Sequence, residues 1–519
     1  MMRSSRDPSK YRAAAWDEPL ISELGRSGRR GVVVPGMGGD GVESAEIALS
    51  RVPRSALRAT VPVLPELSEF EVFRHYLRLS QETLGMMGVD LFGTCTMKYN
   101  PVMSESLTRL PQMREVHPQQ DESTIQGLLE VIYEFDVMLR ELSGMDRFVF
   151  QAGGGADAAY VSVCVTRAYF ESLGQLAQRN EIITTVQAHP CNAATAAAGG
   201  FDVITLPLEE SGYPSVEALR AAVSPRTAAL MVNNPDDMGI YNPHIAEWVD
   251  IVHTAGGLCF YDHANFNGVM GKLRARELGF DACMFMLHKT FGAPKGGGGP
   301  AVGAYGCSAA LEPFLPGPLV NNDEGYFRLV NPARSIGHVR EFMGNIPQIF
   351  KAYAWTRAMG ARGIDEASDI SVLASNYIDA RLVKIPGVTR AHSHLPGFRM
   401  EMTRYSLESL TTDTGVTVID VQNRMTDFGI DAMWLSHEPW IVPEPFTPEA
   451  GETWSKEDID EWVDVLATVC AEAYTTPDVV RQSPHNQVAR RAIASPLDDE
   501  QVWATTWRAY KRKQIGRPR

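Results

Sequence analysis

Short apolar runs alternate with amphipathic stretches from about residue 125 to residue 290. The stretches between the runs, such as VEALRAAV and IAEWVDIVHTAG, carry their apolar residues at helical spacing. Continuously apolar strands separated by helices are typical of a mostly parallel sheet that is covered on both faces. The pattern therefore predicts an α/β fold whose strands include 147–151, 181–186, 202–206, 228–232 and 257–261.

Two longer patterns extend this picture. The sequence IQGLLEVIYEFDVMLRELSG has one apolar stripe at helical spacing, and Gly144 is the predicted stop of that helix. A second α/β pattern begins near residue 365 and continues to about residue 480. We predict four segments: an N-terminal arm with a helical part (1–124), a large α/β domain (125–364), a smaller C-terminal α/β domain (365–480) and a C-terminal tail (481–519).

Composition narrows the class of protein. The 519 residues carry a net charge of −15, which disfavours nucleic-acid and membrane-surface partners because both are anionic. The chain has no run of 18 apolar residues and its first residues lack an apolar signal core, so we expect a cytoplasmic protein. Its seven cysteines are scattered without a CxxC pair, which favours reduced thiols over disulfides and predicts no metal site.

Three features fall where the predicted strands end, which is where open α/β sheets bind ligands. Glycines 153–155 stand between a strand and a helix, where backbone N–H groups and the helix N-terminus favour an anion such as phosphate. An ordinary strand–helix turn is the alternative. Asp262 ends a buried strand, either as an N-cap or as the partner of a cation. Lys289 follows the next apolar run and precedes a four-glycine tract.

This combination predicts pyridoxal phosphate as the cofactor. A lysine forms the Schiff base with that cofactor, an acid keeps the pyridine nitrogen protonated, and a glycine turn holds the phosphate. Lys295 competes with Lys289 for the first role, but it lies inside the glycine loop that contains the four-glycine tract and is off the apolar run. His189 follows another predicted strand, where it either stacks on the cofactor ring or has a structural role.

Several motifs carry a resemblance to a known family. The most specific are TCTMKYNP, and HKTF followed by GGGGP. Others are WDEPLISELGRSGRRG, VHPQQDESTIQG, MVNNPDDMG, YDHANFNGVMG and SIGHVREFMGN. Over most of its length the chain resembles subunit 2 of glycine decarboxylase, the pyridoxal-phosphate-bearing half of the P-protein of the glycine cleavage system.

The resemblance implies fold type I of the pyridoxal-phosphate enzymes. It implies Lys289 as the Schiff-base lysine, with His189 and His288 as further catalytic groups. It implies that the cofactor is bound by Asp262, His189, Asn265 and the phosphate turn of Gly154, Gly155, Ala156 and Asp157. The substrate pocket is then expected to contain Thr96, Cys191, Asn192, Asn234 and His263.

The chain departs from the family pattern beside the cofactor residues, at HPCNAAT, YDHAN and GADAA. Because one atom-sized change alters what a small pocket admits, we predict a diverged enzyme that acts on a larger amino acid. Its expected reaction is β- or γ-substitution or carbon–carbon bond formation in specialised metabolism, with an S-adenosylmethionine-like substrate as one candidate. One alternative is glycine decarboxylation with a lipoyl carrier protein as acceptor, and another is a non-catalytic partner subunit. We expect a homodimer or a heteromer with a chain like P-protein subunit 1.

Overall fold

The computed structural model describes two compact units. The first comprises Met1–Gly88, Thr426–Asp431 and Gln482–Arg519, and the second comprises Val89–Met425 and Ala432–Arg481. Within these units the structure describes residues 7–32, 47–60, 64–83, 89–91, 93, 98–294, 301–433, 435–437, 440–488 and 491.

A seven-stranded sheet forms the centre of the second unit. Its strands in chain order are β1 (Arg147–Ala152), β2 (Glu181–Thr185), β3 (Asp202–Leu206), β4 (Thr227–Asn233), β5 (Leu258–His263), β6 (Ala282–Met286) and β7 (Gly303–Cys307). Their order across the sheet is β1-β7-β6-β5-β4-β2-β3. Strands β2 to β6 run parallel, whereas β7 is antiparallel to both of its neighbours. The predicted mostly parallel sheet is confirmed.

Helices cover both faces of this sheet. They are α1 (Gln126–Ser143), α2 (Gly155–Ser172), α3 (Pro190–Ala198), α4 (Val216–Ala222), α5 (Ile245–Thr254) and α6 (Ile346–Leu382). Helix α1 ends at Gly144 as its sequence predicts, with this residue in the left-handed conformation at φ 74°. Successive residues of β5 enter different cores: Tyr261 packs with α1 and α5, and Phe260 packs with α2. This alternation is why strands buried on both faces are apolar throughout.

The C-terminal part of the second unit is smaller. It contains helix α6, a three-stranded antiparallel sheet and several shorter helices. Helix α6 runs through the predicted domain boundary at residue 364, and its one non-helical residue is Gly360. The four predicted segments stay a prediction. The strands here are Thr389–Arg390, Tyr405–Ser406 and Pro445–Phe446, and the helices are Glu408–Thr414, Val418–Thr426, Lys456–Thr475 and Pro477–Arg481.

The remaining elements are short. In the first unit, helix Glu69–Gln81 begins with a capping box between Ser68 and Glu71. The other helices are Pro8–Lys10, Ile21–Glu23, Arg54–Ala56, Val102–Thr108, Pro111–Arg114, Glu122–Thr124 and Glu312–Phe314. The other strands are Val89–Asp90, Leu319–Asp323, Tyr326–Val330 and Ile430–Ala432.

Two sequence-based expectations concern the environment of the protein. Among the helices in the described ranges, none has both the length and the apolar composition that crossing a bilayer requires. The six cysteines in those ranges are free thiols, and all except Cys164 are buried. Cys95 lies outside the described residues.

Candidate active site

The carboxyl ends of β4, β5 and β6 bring the predicted catalytic residues together. Asn233 at the end of β4 is in register with Asp262, which is in turn in register with Met284 of β6. Lys289 follows β6 by three residues and is 6% exposed. The site therefore lies at the sheet edge where the predicted parallel order places it.

Asp262 is a buried carboxylate with two hydrogen bonds. Its Oδ1 accepts from the backbone N–H of Ala264 at 2.9 Å, and its Oδ2 accepts from Nδ2 of Asn192 at 3.3 Å. Burial raises the pKa of Asp262 to about 6, against the hydrogen bond from Ala264 and the positive charge of Lys289, which both lower it. A cation placed beside this carboxylate would relieve the cost of burying its charge.

Lys289 lies in a closed turn behind β6. The N–H of Lys289 donates to the carbonyl of Met286 at 3.0 Å, and the N–H of Gly292 donates to the carbonyl of Lys289 at 3.1 Å. The adjacent His288 is buried, and its Nδ1 donates to the carbonyl of Val302 at 3.3 Å. These bonds fix the backbone on both sides of Lys289.

His189 stands at the N-terminus of α3, after β2. Its Nδ1 accepts a hydrogen bond from the N–H of Cys191 at 3.1 Å, so the imidazole caps the helix. The ring also contacts the ring of His437 edge-on, with centroids 4.4 Å apart. Burial, followed by the nearby Asp262, raises the pKa of the Cys191 thiol well above its ordinary value, so this cysteine is a neutral thiol. The predicted residues His189, Cys191 and Asn192 thus share one helix turn beside Asp262.

The glycine turn before α2 lies against the Lys289 turn. A Cβ atom on Gly154 would lie 3.9 Å from Cε1 of His288. The N–H of Gly153 donates to Oδ2 of Asp157 at 2.9 Å, and a Cβ on Gly153 would collide with Nη1 of Arg340. A side chain at 153 would have to displace this guanidinium, which lies directly over the backbone of the turn. The turn therefore combines the α2 N-terminus with one cationic and one anionic side chain.

A cavity of about 290 Å³ opens beside His189. It is lined on one side by the end of β2 and on the other by Asp237, Arg404 and His437. Arg404 is buried, its Nε donates to Oγ1 of Thr447 at 3.1 Å, and one of its terminal nitrogens, Nη2, has no hydrogen-bond partner among the described residues. Asp237 accepts from Nδ2 of Asn265 at 2.9 Å, so the predicted residue Asn265 contacts a residue of the cavity wall without lining the cavity itself.

Other predicted residues lie elsewhere. His263 points to the opposite face of the sheet from Asp262, where its ring stacks on Tyr261 with centroids 3.8 Å apart. Burial lowers its pKa to about 3, so the imidazole is neutral. Asn234 bonds the backbone of Asn242 through both side-chain atoms, at 2.8 and 3.1 Å, and closes a turn. Ala156 is exposed in the first turn of α2.

Two predictions fall outside the described residues, namely Thr96 and the rival lysine Lys295 with its glycine tract. Sequence reasoning missed four residues of the site: Asp237, Arg340, Arg404 and His437. Asp237 comes shortly after β4, as Asp262 lies at the end of β5. The signal that identifies Asp262, an acidic residue at the carboxyl end of a buried strand, could therefore also have identified Asp237. The other three are distant in sequence from any strand of the large sheet, and no local pattern marks them.

Comparison with known proteins identifies the family. Residues 143–394 match the family Aminotransferase class-V. The chain is 41% identical over 505 residues to "Probable glycine dehydrogenase (decarboxylating) subunit 2" of Pyrococcus abyssi, covering 96% of this chain and 98% of the relative. A protein of the same name from Thiobacillus denitrificans is 38% identical, covering 95% and 99%. The chain belongs to the glycine dehydrogenase (decarboxylating) subunit 2 family.

Solved structures support the fold. The structure described as "glycine decarboxylase (P-protein) of the glycine cleavage system, in inhibitor-bound form" matches with a TM-score of 0.69 at 20% identity, covering 84% of this chain and all of that one. A "NIFS-like protein" matches with a TM-score of 0.57 at 15% identity, covering 74% of this chain and 99% of that one. Fold type I is thereby confirmed, and this member of the glycine dehydrogenase subunit 2 family is a pyridoxal-phosphate-dependent enzyme.

The described residues fit that cofactor. An amine (Lys289) and a buried carboxylate (Asp262) that prefers a cationic neighbour lie at one strand edge. The hydroxyl of Thr290, next to Lys289, is buried and has no hydrogen-bond partner among the described residues. The Gly153 turn, with Arg340 over it, offers backbone donors and a positive charge to a phosphate. Asp157 opposes this by placing a carboxylate on the N–H of Gly153.

We predict that Arg340→Gln weakens binding of pyridoxal phosphate to the cofactor-free subunit about tenfold, since a charge-assisted hydrogen bond contributes about 1.5–3 kcal/mol. Asp157→Asn is expected to tighten binding, because the amide still caps Gly153 without repelling phosphate. The measurement is an absorbance titration with the cofactor. Arg334→Gln is the matched control, since that guanidinium lies over Phe314. An unchanged dissociation constant for Arg340→Gln would remove Arg340 from the phosphate site.

Proposed function

We propose that the chain is the cofactor-bearing subunit of a glycine decarboxylase. In this reaction glycine loses its carboxyl group as CO₂, and the remaining aminomethyl carbon bonds one sulfur of the oxidised lipoyl disulfide on a carrier protein, while the S–S bond breaks and the other sulfur leaves as a thiol. The observation that carries the proposal is the match along 96% of the chain to a relative named for glycine dehydrogenation with decarboxylation. The arrangement of Lys289 and Asp262 at one strand edge supports it.

The comparisons favour this activity over the substitution or carbon–carbon bond-forming reaction predicted from the departures. The relatives from Pyrococcus abyssi and Thiobacillus denitrificans bear the glycine dehydrogenase name, and neither name points to β- or γ-substitution. One of the departures behind that prediction, His263 in YDHAN, also loses its argument. His263 is in the aromatic core and has no place on the cavity wall. Cys191 alone is beside Asp262.

The residues of the chain have separate tasks in this mechanism. Pyridoxal phosphate, when bound, supplies an electron sink for the charge left on the α-carbon of the substrate. Lys289 would hold the cofactor and then carry a proton on Nζ. Asp262 would hold a proton on the ring nitrogen by pairing with it. His189 would pack on the ring, and the Gly153 turn with Arg340 would hold the phosphate.

The position of Arg404 is an argument for an amino-acid substrate. Its buried guanidinium has an unpartnered Nη2, and Arg404 is one of the residues that line the cavity beside His189. Burial lowers its pKa, and the carboxylates of Asp237 and Asp236 oppose that shift. A substrate carboxylate would supply the missing acceptor, in the geometry that guanidinium groups prefer. We therefore place the carboxyl group of glycine against Arg404.

We predict that Arg404→Gln raises the dissociation constant of glycine at least about tenfold and leaves that of methylamine, which has no carboxylate, within about twofold. The interaction weakens as the carboxylate becomes neutral CO₂, so KM should rise while kcat does not fall. Spectral titrations of the cofactor-loaded protein measure both constants. Arg390→Gln is the control, because that guanidinium pairs with Asp379 at 3.0 Å. An equal change for both ligands would remove this role from Arg404.

The names of the same relatives also bear on the subunit composition of the enzyme. Their name designates a second subunit, so we propose that this chain works with a chain of the subunit 1 kind. This replaces the homodimer as the preferred assembly, and mass measurement of the chain alone and with that partner tests it. A cytoplasmic location stays a prediction.

The deciding experiment combines the cofactor-loaded chain, the partner subunit, a lipoylated carrier protein and glycine labelled at its carboxyl carbon. Labelled CO₂ should appear only when all components are present, and alanine should release none. Turnover of a larger amino acid without any CO₂ from glycine would favour the substitution reaction instead. If neither occurs and the chain only stabilises its partner, the non-catalytic alternative is correct.

A further inference from the structure

The TCTMKYNP motif has no task in the proposed mechanism, although it is among the most specific stretches of the sequence. The structure describes its second half, from Lys98 onward. Lys98 is buried, with its side chain 2% exposed, and Asn100 is half-buried. A buried lysine is costly unless it is paired, so this segment requires an explanation.

Asn100 contacts the turn that carries Lys289. Its Nδ2 donates to the backbone carbonyl of Gly292 at 2.9 Å. The N–H of Gly292 in turn donates to the carbonyl of Lys289. The N–H of Ala293 donates to the carbonyl of Leu287 at 3.1 Å, which closes the turn at its base. Lys289 and Gly292 are therefore joined by a backbone hydrogen bond within one closed turn, and Asn100 holds that turn at Gly292.

Gly292 leaves the turn little room to move. Its φ of +67° lies in the left-handed region, and a Cβ there would be 3.1 Å from Cδ1 of Trp355. Trp355 also packs edge-on against the neighbouring Phe291, with centroids 5.7 Å apart. Asn100 therefore hydrogen-bonds the carbonyl of a residue whose backbone packs closely against Trp355.

Lys98 reaches the same turn through Trp355. Its Nζ lies 4.8 Å from the centre of the Trp355 ring and 2.7 Å from Oε1 of Glu452. Nζ also lies 3.4 Å from Oδ1 of Asn267. Burial lowers the pKa of Lys98, and Glu452 opposes that shift. The cation–π contact and the ion pair fix the indole that packs on Gly292.

We propose that Asn100 and Lys98 are positioning residues that aim Lys289 at the cofactor. Asn100 acts through the carbonyl of Gly292, and Lys98 acts through Trp355. The inference rests on one part of the proposed function, the role of Lys289, and is independent of glycine and of the carrier. Misplacing a reacting amine by about 1 Å can cost about 10²-fold in rate, so the loss of either contact should be visible in kinetics.

The test is the rate at which cofactor-free protein attaches pyridoxal phosphate covalently, followed by visible absorbance. We expect Asn100→Ala to slow attachment about tenfold. Gln126→Ala is the matched control, because that side chain likewise donates to a backbone carbonyl, that of Phe327 at 2.8 Å, which belongs to the strand Tyr326–Val330 and not to the Lys289 turn. The melting temperatures of the two variants should fall by similar amounts. Equal attachment rates in the two variants would overturn the proposal for Asn100.

A second set of variants tests Lys98 without stranding a buried charge. Lys98→Arg keeps the cation over Trp355 and should attach the cofactor at near the wild-type rate. Lys98→Met with Glu452→Gln removes both charges together and should slow attachment. If the double variant melts normally and attaches at the wild-type rate, Lys98 has no positioning role. Lys289→Ala, measured alongside, reports separately on the lysine assignment: covalent attachment that persists there refutes that part of the proposed function.

Discussion

Lys289→Ala is expected to abolish covalent attachment of the cofactor and to reduce glycine decarboxylation at least about 10³-fold. The reason is that one side chain supplies both the attachment point and a proton carrier, and a positioned acid–base group alone contributes about 10²–10⁴-fold. The checks are the visible absorbance of protein loaded with pyridoxal phosphate and the release of labelled CO₂.

Lys295→Ala provides the matched control for this prediction. Both lysines precede the same four-glycine tract, yet only Lys289, together with His288, directly follows the apolar run. The Lys295 variant should keep the visible absorbance. If it loses the absorbance while Lys289→Ala keeps it, the assignment of the two lysines is reversed.

Asp262→Asn is expected to cause the second large loss of activity. A neutral amide lacks the negative charge that would keep the ring nitrogen protonated. We therefore expect kcat to fall about 10³-fold, which is the upper end of the range for removing one preorganised electrostatic contact. The cofactor should still attach, because Lys289 is intact. Measuring attachment and kcat in the same preparation separates this effect from misfolding. A kcat within tenfold of wild type would exclude Asp262 from the electron-sink chemistry.

Although Asp262→Asn should lower kcat, it should stabilise the cofactor-free protein against unfolding. The pKa of Asp262 is about 6 in the folded, cofactor-free protein, compared with its ordinary 3.8. Between these values the folded state binds more protons than the unfolded state, so the free energy of unfolding decreases as pH rises through that window. Cofactor-free Asp262→Asn should therefore melt above wild type at pH 8 and close to it at pH 4. Melting curves at the two pH values check the sign.

The sequence could predict the sheet and the residues at its strand ends because both follow from local patterns. The runs that predict β1 to β5 each lie within two residues of the observed strands at either end. Asp262, Lys289 and His189 follow from position alone, since parallel strands end at one edge. The antiparallel strand β7 has no such signal: GAYGC contains two glycines, and its pairing depends on partners far away in the chain.

The errors in the predicted site also have physical reasons. His263 adjoins Asp262 in sequence, and proximity suggested a shared pocket. Successive strand residues face opposite sides, so the neighbour of a catalytic residue belongs to the other core. Arg404 and Arg340 could not be found from the sequence because the chain returns to the site from the small sheet and from the loop before α6.

The position of β7 has a consequence for how the enzyme is made. Among the strands in the described ranges, β1 lies at the sheet edge and pairs with β7 alone, which follows it by about 150 residues along the chain. Long-range pairings of this kind form late, because the chain entropy of closing the loop must be overcome first. During synthesis β1 therefore leaves the ribosome long before its partner, with an unpaired edge. The strand that leads to Lys289 gains its second neighbour in the same late step. Catalytic competence therefore cannot precede the closing of the sheet, and a nascent chain that ends before residue 303 would carry the lysine without the site.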